Sequence, residues 1–242
     1  FTYSATDALN LAIKGFVNRG DHVIISGMEH NSVVRPLRHL EKEGVISLTV
    51  VPCDEAGYIN QEKLAEAFTP KTRLVVISHA SNVTGALQPV ADIGRLARRR
   101  GAYLLVDAAQ TAGIVPVDLE ALQADMIACA GHKGLLGLPG TGLLVIGPRV
   151  ETLRPLRQGG TGYNSQSELQ PDYWPEALEA GTFNMPGIIS LGKGLSFIEE
   201  QGLERLARRG EELIGMLWNG LARLPSVRLY GPQPHQPRVA IL

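Results

Sequence analysis

Lys133 lies in the run Cys129-Ala130-Gly131-His132-Lys133-Gly134, directly after an apolar stretch and among small residues. An amine in that setting can attack a carbonyl and hold it as a Schiff base. Most lysines are surface solubilisers, so the residue type alone says little and its surroundings decide. Asp107 closes the apolar run Tyr103-Leu104-Leu105-Val106. It reads equally as a cap for a following helix and as the anion that keeps a pyridinium nitrogen protonated, which makes such a ring an electron sink. Gln110 is either an ordinary surface amide or, one helical turn above Asp107, a partner for a phenolic oxygen. His30, after Ser26-Gly27-Met28-Glu29, reads as a capping or core histidine, or as a flat partner for a ring. Asn82 follows another apolar run, and Asn82-Val83-Thr84 also spells a glycosylation sequon, read here as accidental because nothing indicates secretion. Ser4-Ala5-Thr6 precedes a helical pattern: Ser4 is a cap, or the backbone N–H groups there receive a phosphate. No one of these residues decides the matter. Five separate loops, however, each offer one group that a pyridine cofactor needs.

The elements between them alternate. Helical spacing runs over residues 4–16, 31–43, 60–68 and 89–100, with Asn31 and Asn60 as expected caps and Pro89 at a start. Apolar strand-like runs cover 22–26, 47–51, 74–78, 103–107, 126–130 and 143–146. Strand after helix after strand, with apolar strands, predicts an α/β fold: a mostly parallel sheet sandwiched by helices. In such sheets ligands gather at the carboxyl ends of the strands, which is where the chemistry-bearing residues fall. The glycines of Gly137-Leu138-Pro139-Gly140-Thr141-Gly142 are wrongly spaced for a dinucleotide motif, and a strand follows them. Helices are expected over 188–201 and 203–224, then two strands of another sheet over 227–230 and 238–242. His30, His79 and His132 lack ligand-like spacing, so no metal is expected.

The chain has 242 residues, 44% of them hydrophobic, enough for one large core with a smaller second one. A net charge of -1 gives no pull toward nucleic acid or membrane. No apolar run approaches a membrane span, and the opening Phe1-Thr2-Tyr3 is not a signal peptide. Two cysteines, Cys53 and Cys129, fit reduced thiols in a cytoplasmic protein rather than a disulfide framework. The first residue is not Met and the chain stops within a strand-like run, from which sequence missing at both ends is expected.

Ordered segments carry a family likeness: Ser4-Ala5-Thr6-Asp7-Ala8-Leu9-Asn10, Met28-Glu29-His30-Asn31, Ser78-His79-Ala80-Ser81-Asn82-Val83-Thr84-Gly85, Val106-Asp107-Ala108-Ala109-Gln110, Gly131-His132-Lys133, and Glu179-Ala180-Gly181-Thr182-Phe183-Asn184 with Pro186-Gly187-Ile188. In these the chain resembles the class V aminotransferases among the fold-type-I pyridoxal-phosphate enzymes, nearest the cysteine desulfurase and selenocysteine lyase branch. The resemblance implies a seven-stranded-type sheet in a large cofactor-binding domain over 1–200, and the start of a small α+β domain over 201–242. It implies pyridoxal 5′-phosphate as cofactor, with Lys133 as its Schiff-base lysine, Asp107 at the pyridinium and His30 stacked on the ring. Gln110 and Asn82 would stand at the phenolic edge, and Ala5, Thr6 and His132 on the phosphate. Thr182 would reach the phosphate of a neighbouring subunit in a homodimer. The implied activity is a lyase or transferase reaction on L-cysteine, cleaving its C–S bond to alanine and enzyme-bound sulfur for an acceptor protein. An aminotransferase, epimerase or selenocysteine lyase shares the same first steps, and an inactive fragment is a further reading. Ala130 stands where the family often has Ser or Thr, which removes a phosphate contact. Neither cysteine matches the family's sulfur-accepting one, and that residue and a substrate-gripping arginine are expected beyond Leu242.

Overall fold

The computed structural model describes residues 1–163 and 166–242. Six of the apolar runs form strands: β1 (Asp21–Ser26), β2 (Ile46–Val51), β3 (Thr72–Ser78), β4 (Tyr103–Asp107), β5 (Met126–Ala130) and β6 (Gly142–Ile146). They make one sheet in the order β2-β1-β3-β4-β5-β6. The first five are parallel and β6 runs antiparallel to β5. The sheet is thus mostly parallel, as expected. Among the described residues it holds six strands, one fewer than the seven-stranded form implied by the resemblance, and these are six of the runs visible in the sequence.

The interleaved helices are α1 (Ala5–Phe16), α2 (Asn31–Lys42), α3 (Gln61–Ala67) and α4 (Val90–Arg99). Successive side chains on a strand point to opposite faces, so each central strand feeds two cores. Val23, Ile25, Leu74, Val76 and Leu105 join Leu9, Ile13, Val33 and Leu37 of α1 and α2. Ile24, Val75, Ile77, Leu104 and Val106 join Leu64, Val90 and Ile93 of α3 and α4. Burial on both faces explains why β3 and β4 read as continuous apolar runs instead of alternating ones. The crossovers after β1, β2 and β3 leave the carboxyl end of the strand and enter a helix N-terminus, so that edge of the sheet collects loops and helix starts.

Three local expectations change. The cap of α2 is His30, whose Nδ1 accepts from the Ser32 N–H, so Asn31 is the first helical residue. No helix follows Asp107. Its Oδ1 accepts from the Ala109 N–H, and Thr111 and Ala112 both donate to the Ala108 carbonyl in one closed turn. Residues 227–230 and 238–242 are not strands. Val239 donates to Gly85 and Leu87 donates to the Pro237 carbonyl, so the last segment lies along the 84–87 loop with one bridge between Ala86 and Arg238. An isolated apolar run has no ladder to join without a partner strand, and there is none among the described residues.

The later helices are α5 (Met185–Gln201) and α6 (Leu203–Leu221), joined at Gly202. α5 lies hard against the loop after β5. A Cβ on Gly194 would stand 2.2 Å from the Leu135 carbonyl oxygen, and one on Gly137 would stand 3.1 Å from the Leu191 Cα. No described helix is long and apolar enough to cross a membrane.

Candidate functional site

At the carboxyl edge of the sheet, a cavity of about 220 Å³ opens between the starts of α1 and α2 and the loops after β3, β4 and β5. It is smaller than the roughly 300–1,000 Å³ of pockets for drug-sized ligands, which suits one compact ring rather than an extended molecule. Its walls include Ala5, Thr6, His30, Asn82, Asp107, Gln110, His132 and Lys133. Eight of the nine residues singled out for cofactor binding therefore share one space, though they span 129 positions of sequence. Thr182 is not among them. It is exposed, and its carbonyl accepts from the Tyr3 hydroxyl at 3.3 Å, outside the cavity.

Backbone packing presents Lys133. A Cβ on Gly131 would fall 2.1 Å from the Thr141 hydroxyl oxygen, and one on Gly134 would fall 2.5 Å from the Ala112 carbonyl oxygen. Only glycine allows the loop to come this close to its neighbours, and so the lysine between them leaves β5 toward the cavity. Its half-buried side chain has no hydrogen bond or ion pair among the described residues. Asp107 closes β4 in register with Ser78 of β3. It is 5% exposed. Its one hydrogen bond among the described residues comes from the Ala109 N–H at 2.9 Å. Burial raises its pKa, and that N–H with the nearby Lys133 and His30 side chains offsets part of the rise. The carboxylate thus keeps acceptor capacity on the cavity side.

The start of α1 forms the opposite wall. Ser4 caps it by accepting from the Asp7 N–H, and its carbonyl takes the Ala8 N–H. The N–H groups of Ala5 and Thr6 have no acceptor among the described residues. Two free donors at the positive end of a helix are an anion site in waiting.

Sequence reasoning missed three polar residues here. Ser32 and Ser78 line the cavity, and Glu29 sits behind it. Glu29 accepts from the Ser26 hydroxyl at 2.5 Å, from the Ser78 N–H at 2.9 and 3.0 Å, and from the Ser78 hydroxyl at 2.8 Å. Burial pushes its carboxyl up to about 7 against those hydrogen bonds, with a further upward push from Asp107. The one available signal was its position immediately before His30. The two thiols play no part at the cavity. Burial, and then Asp107, push Cys129 up to about 12, which leaves it without nucleophilic thiolate near neutrality.

Residues 1–242 match the family model described as aminotransferase class-V. The chain belongs to that family. Among similar proteins, a probable cysteine desulfurase of Methanothermobacter thermautotrophicus is 36% identical over 236 residues, covering 96% of this chain and 58% of the relative. A cysteine desulfurase of Escherichia coli O157:H7 is 36% identical over 241 residues, covering 96% and 59%. The apo structure of the cysteine desulfurase from Thermococcus onnurineus superposes with a TM-score of 0.88 at 32% identity, over 99% of this chain and 61% of that one. This class-V chain spans about three-fifths of the length of the relatives it matches.

The cavity's donor set fits the phosphorylated pyridine that the family resemblance implies. A primary amine, a buried carboxylate and two helix-end N–H groups, none of them in an ion pair or, for the N–H groups, bound to an acceptor among the described residues, face one small space.

Proposed function

We propose that this chain carries the cofactor-binding machinery of a pyridoxal 5′-phosphate-dependent cysteine desulfurase acting on L-cysteine. The single observation that carries the reading is the grouping of Lys133, Asp107 and the unpaired N–H groups of α1 around one cavity. The relatives named cysteine desulfurase, similar along nearly the whole of this chain, support the choice of reaction. When bound, pyridoxal phosphate supplies an electron sink that weakens the bonds at the α-carbon of an amino acid.

The chain's own groups have separate tasks. The Lys133 amine holds the cofactor's carbonyl carbon and later moves the substrate α-proton. The Asp107 carboxylate keeps a proton on the ring nitrogen. The His30 imidazole covers a ring face, and Gln110 and Asn82 bind the phenolic edge. The Ala5 and Thr6 N–H groups, with His132, hold the phosphate. We assign Thr182 to the phosphate of a second subunit, which makes the working unit a homodimer, and we assign the released sulfur to an acceptor protein in the cytoplasm. We place the boundary between a large cofactor-binding domain, 1–200, and a smaller one, 201–242, in the last turn of α5, just before Gly202.

Adding pyridoxal phosphate to the purified protein is expected to give a visible absorption band. Borohydride should then fix the cofactor on the peptide containing Lys133, and Lys133→Ala should abolish both band and label. An unchanged band in that variant removes the assignment.

A further inference from the structure

The starts of α1 and α2 are tied together by side chains. The Thr6 and Ser32 hydroxyl oxygens stand 2.7 Å apart, and the Ser32 hydroxyl oxygen stands 2.9 Å from His30 Nδ1. The Ser32 backbone N–H also donates to His30 Nδ1 at 3.1 Å. That N–H can only donate, so in the neutral ring Nδ1 carries the lone pair and the proton sits on Nε2. Ser32 is 8% exposed, so water does not readily replace its partners. Two hydroxyls in series between an anion site and a ring nitrogen have two ways to point their protons. With no anion at α1, Thr6 can donate to Ser32, and Ser32 to His30 Nδ1. With an anion there, Thr6 donates to the anion, Ser32 turns to donate to Thr6, and Nδ1 keeps the backbone N–H alone.

We propose that Ser32 is a positioning residue that links the anion cradle at Thr6 to the imidazole of His30, so that occupancy of the cradle sets the hydrogen bonding of the ring. The inference rests on the reading that a phosphate group sits at the start of α1. Ser32 completes the Thr6 hydroxyl as a donor to that phosphate and holds His30 at a fixed angle to the cavity. No proton enters or leaves; two O–H groups rotate.

The test uses inorganic phosphate and the full chain without cofactor, followed by ¹⁵N-imidazole NMR of His30. In the wild type, phosphate should move the Nδ1 signal more than the Nε2 signal. Ser32→Ala should weaken phosphate binding about fivefold, the scale of one hydrogen bond worth about 1 kcal/mol, and should remove the Nδ1-selective shift. Ser32→Thr should restore both. Thr6→Val combined with Ser32→Ala should cost no more than the worse single change, because one acts through the other. Additive losses, an Nδ1 shift that survives Ser32→Ala, or a fall in melting temperature with phosphate affinity unchanged would each overturn the proposal. Phosphate that binds every form equally overturns this link alone. Phosphate that binds none removes the phosphate reading beneath it, while failure of the Lys133 labelling removes the cofactor reading and leaves this result to stand or fall separately.

Discussion

The two edges of the sheet treat their buried aspartates in opposite ways. At the amino edge, Asp125 is 2% exposed. It accepts from the Leu104 N–H at 2.8 Å and pairs with Arg149 at 2.8 Å, with Arg98 3.9 Å away. His22, at the start of β1, has both ring nitrogens engaged by Thr72 and Thr49 hydroxyls at 2.8 Å. The Arg73 guanidinium lies 4.4 Å and 4.7 Å from the ring centroids of Phe16 and Tyr103, although its buried Nε has no hydrogen-bond partner among the described residues. At the carboxyl edge, Asp107 is nearly as buried, yet its one hydrogen bond among the described residues is the Ala109 N–H. Among the described residues Lys133 has no polar partner there, and two N–H groups of α1 have no acceptor. A buried charge that lacks its partners costs free energy, so one edge uses its polar groups to stabilise the fold and the other leaves them for a ligand.

Exchanging the treatment of the two aspartates gives the largest expected effects. Asp125→Ala leaves the Leu104 N–H without its buried acceptor and Arg149 without its ion pair, and should lower unfolding free energy by about 1–3 kcal/mol, read by urea titration. Cofactor binding per folded molecule should not change. Asp107→Asn should do the reverse. The amide can still accept from the Ala109 N–H, and a charge whose pKa burial has raised is removed, so stability should hold or rise. On the proposed function, α-proton exchange of an amino acid in the presence of pyridoxal phosphate should fall by a factor of about 10²–10⁴, the range for losing a positioned acid–base group. Equal stability losses in the two variants would erase the distinction between the edges.

That distinction was only half visible in the sequence. The strands were legible because burial on both faces leaves an unbroken apolar run, as in Leu74-Val75-Val76-Ile77 and Leu104-Leu105-Val106. The site was legible because residues directly after such runs, His30, Asn82, Asp107 and Lys133, must fall at one edge of a parallel sheet. Ser32 and Glu29 were hidden. Their roles come from side-chain contacts between elements, Ser32 with Thr6 and Glu29 with Ser78, and no local periodicity records those. The runs at 227–230 and 238–242 misled for a related reason: β-propensity says that a segment can pair but not that a partner is present. The alternative reading of Asp107 as a helix cap fails because one side-chain-to-backbone bond, to Ala109, closes a turn as readily as it starts a helix.

A subtler difference between the edges should appear in the pH dependence of stability. The Glu29 carboxyl rises from an ordinary 4.5 to about 7 in the fold, chiefly through burial. Between those values the unfolded chain has lost the proton that the folded chain keeps. Its contribution is therefore complete below about pH 4.5 and is lost as pH rises through about 7. His79 works in the other direction. Burial lowers it from 6.5 to about 4, so its contribution is complete above about pH 6.5 and is lost as pH falls through about 4. Glu29→Gln should thus gain on the wild type as pH rises from about 5 to about 8, by at most about 3 kcal/mol at about 1.4 kcal/mol per pKa unit. Urea unfolding at several pH values measures it, and parallel curves for the two proteins would refute the buried-carboxyl account. Because Asp107 adds to the upward push on Glu29, Asp107→Asn should shrink this pH-dependent loss by a smaller amount. Asp125→Ala, at the far edge, should leave its shape unchanged. If the amino-edge variant flattened the curve as much as the cavity variant, the charge coupling would belong to the sheet as a whole and not to the carboxyl edge alone.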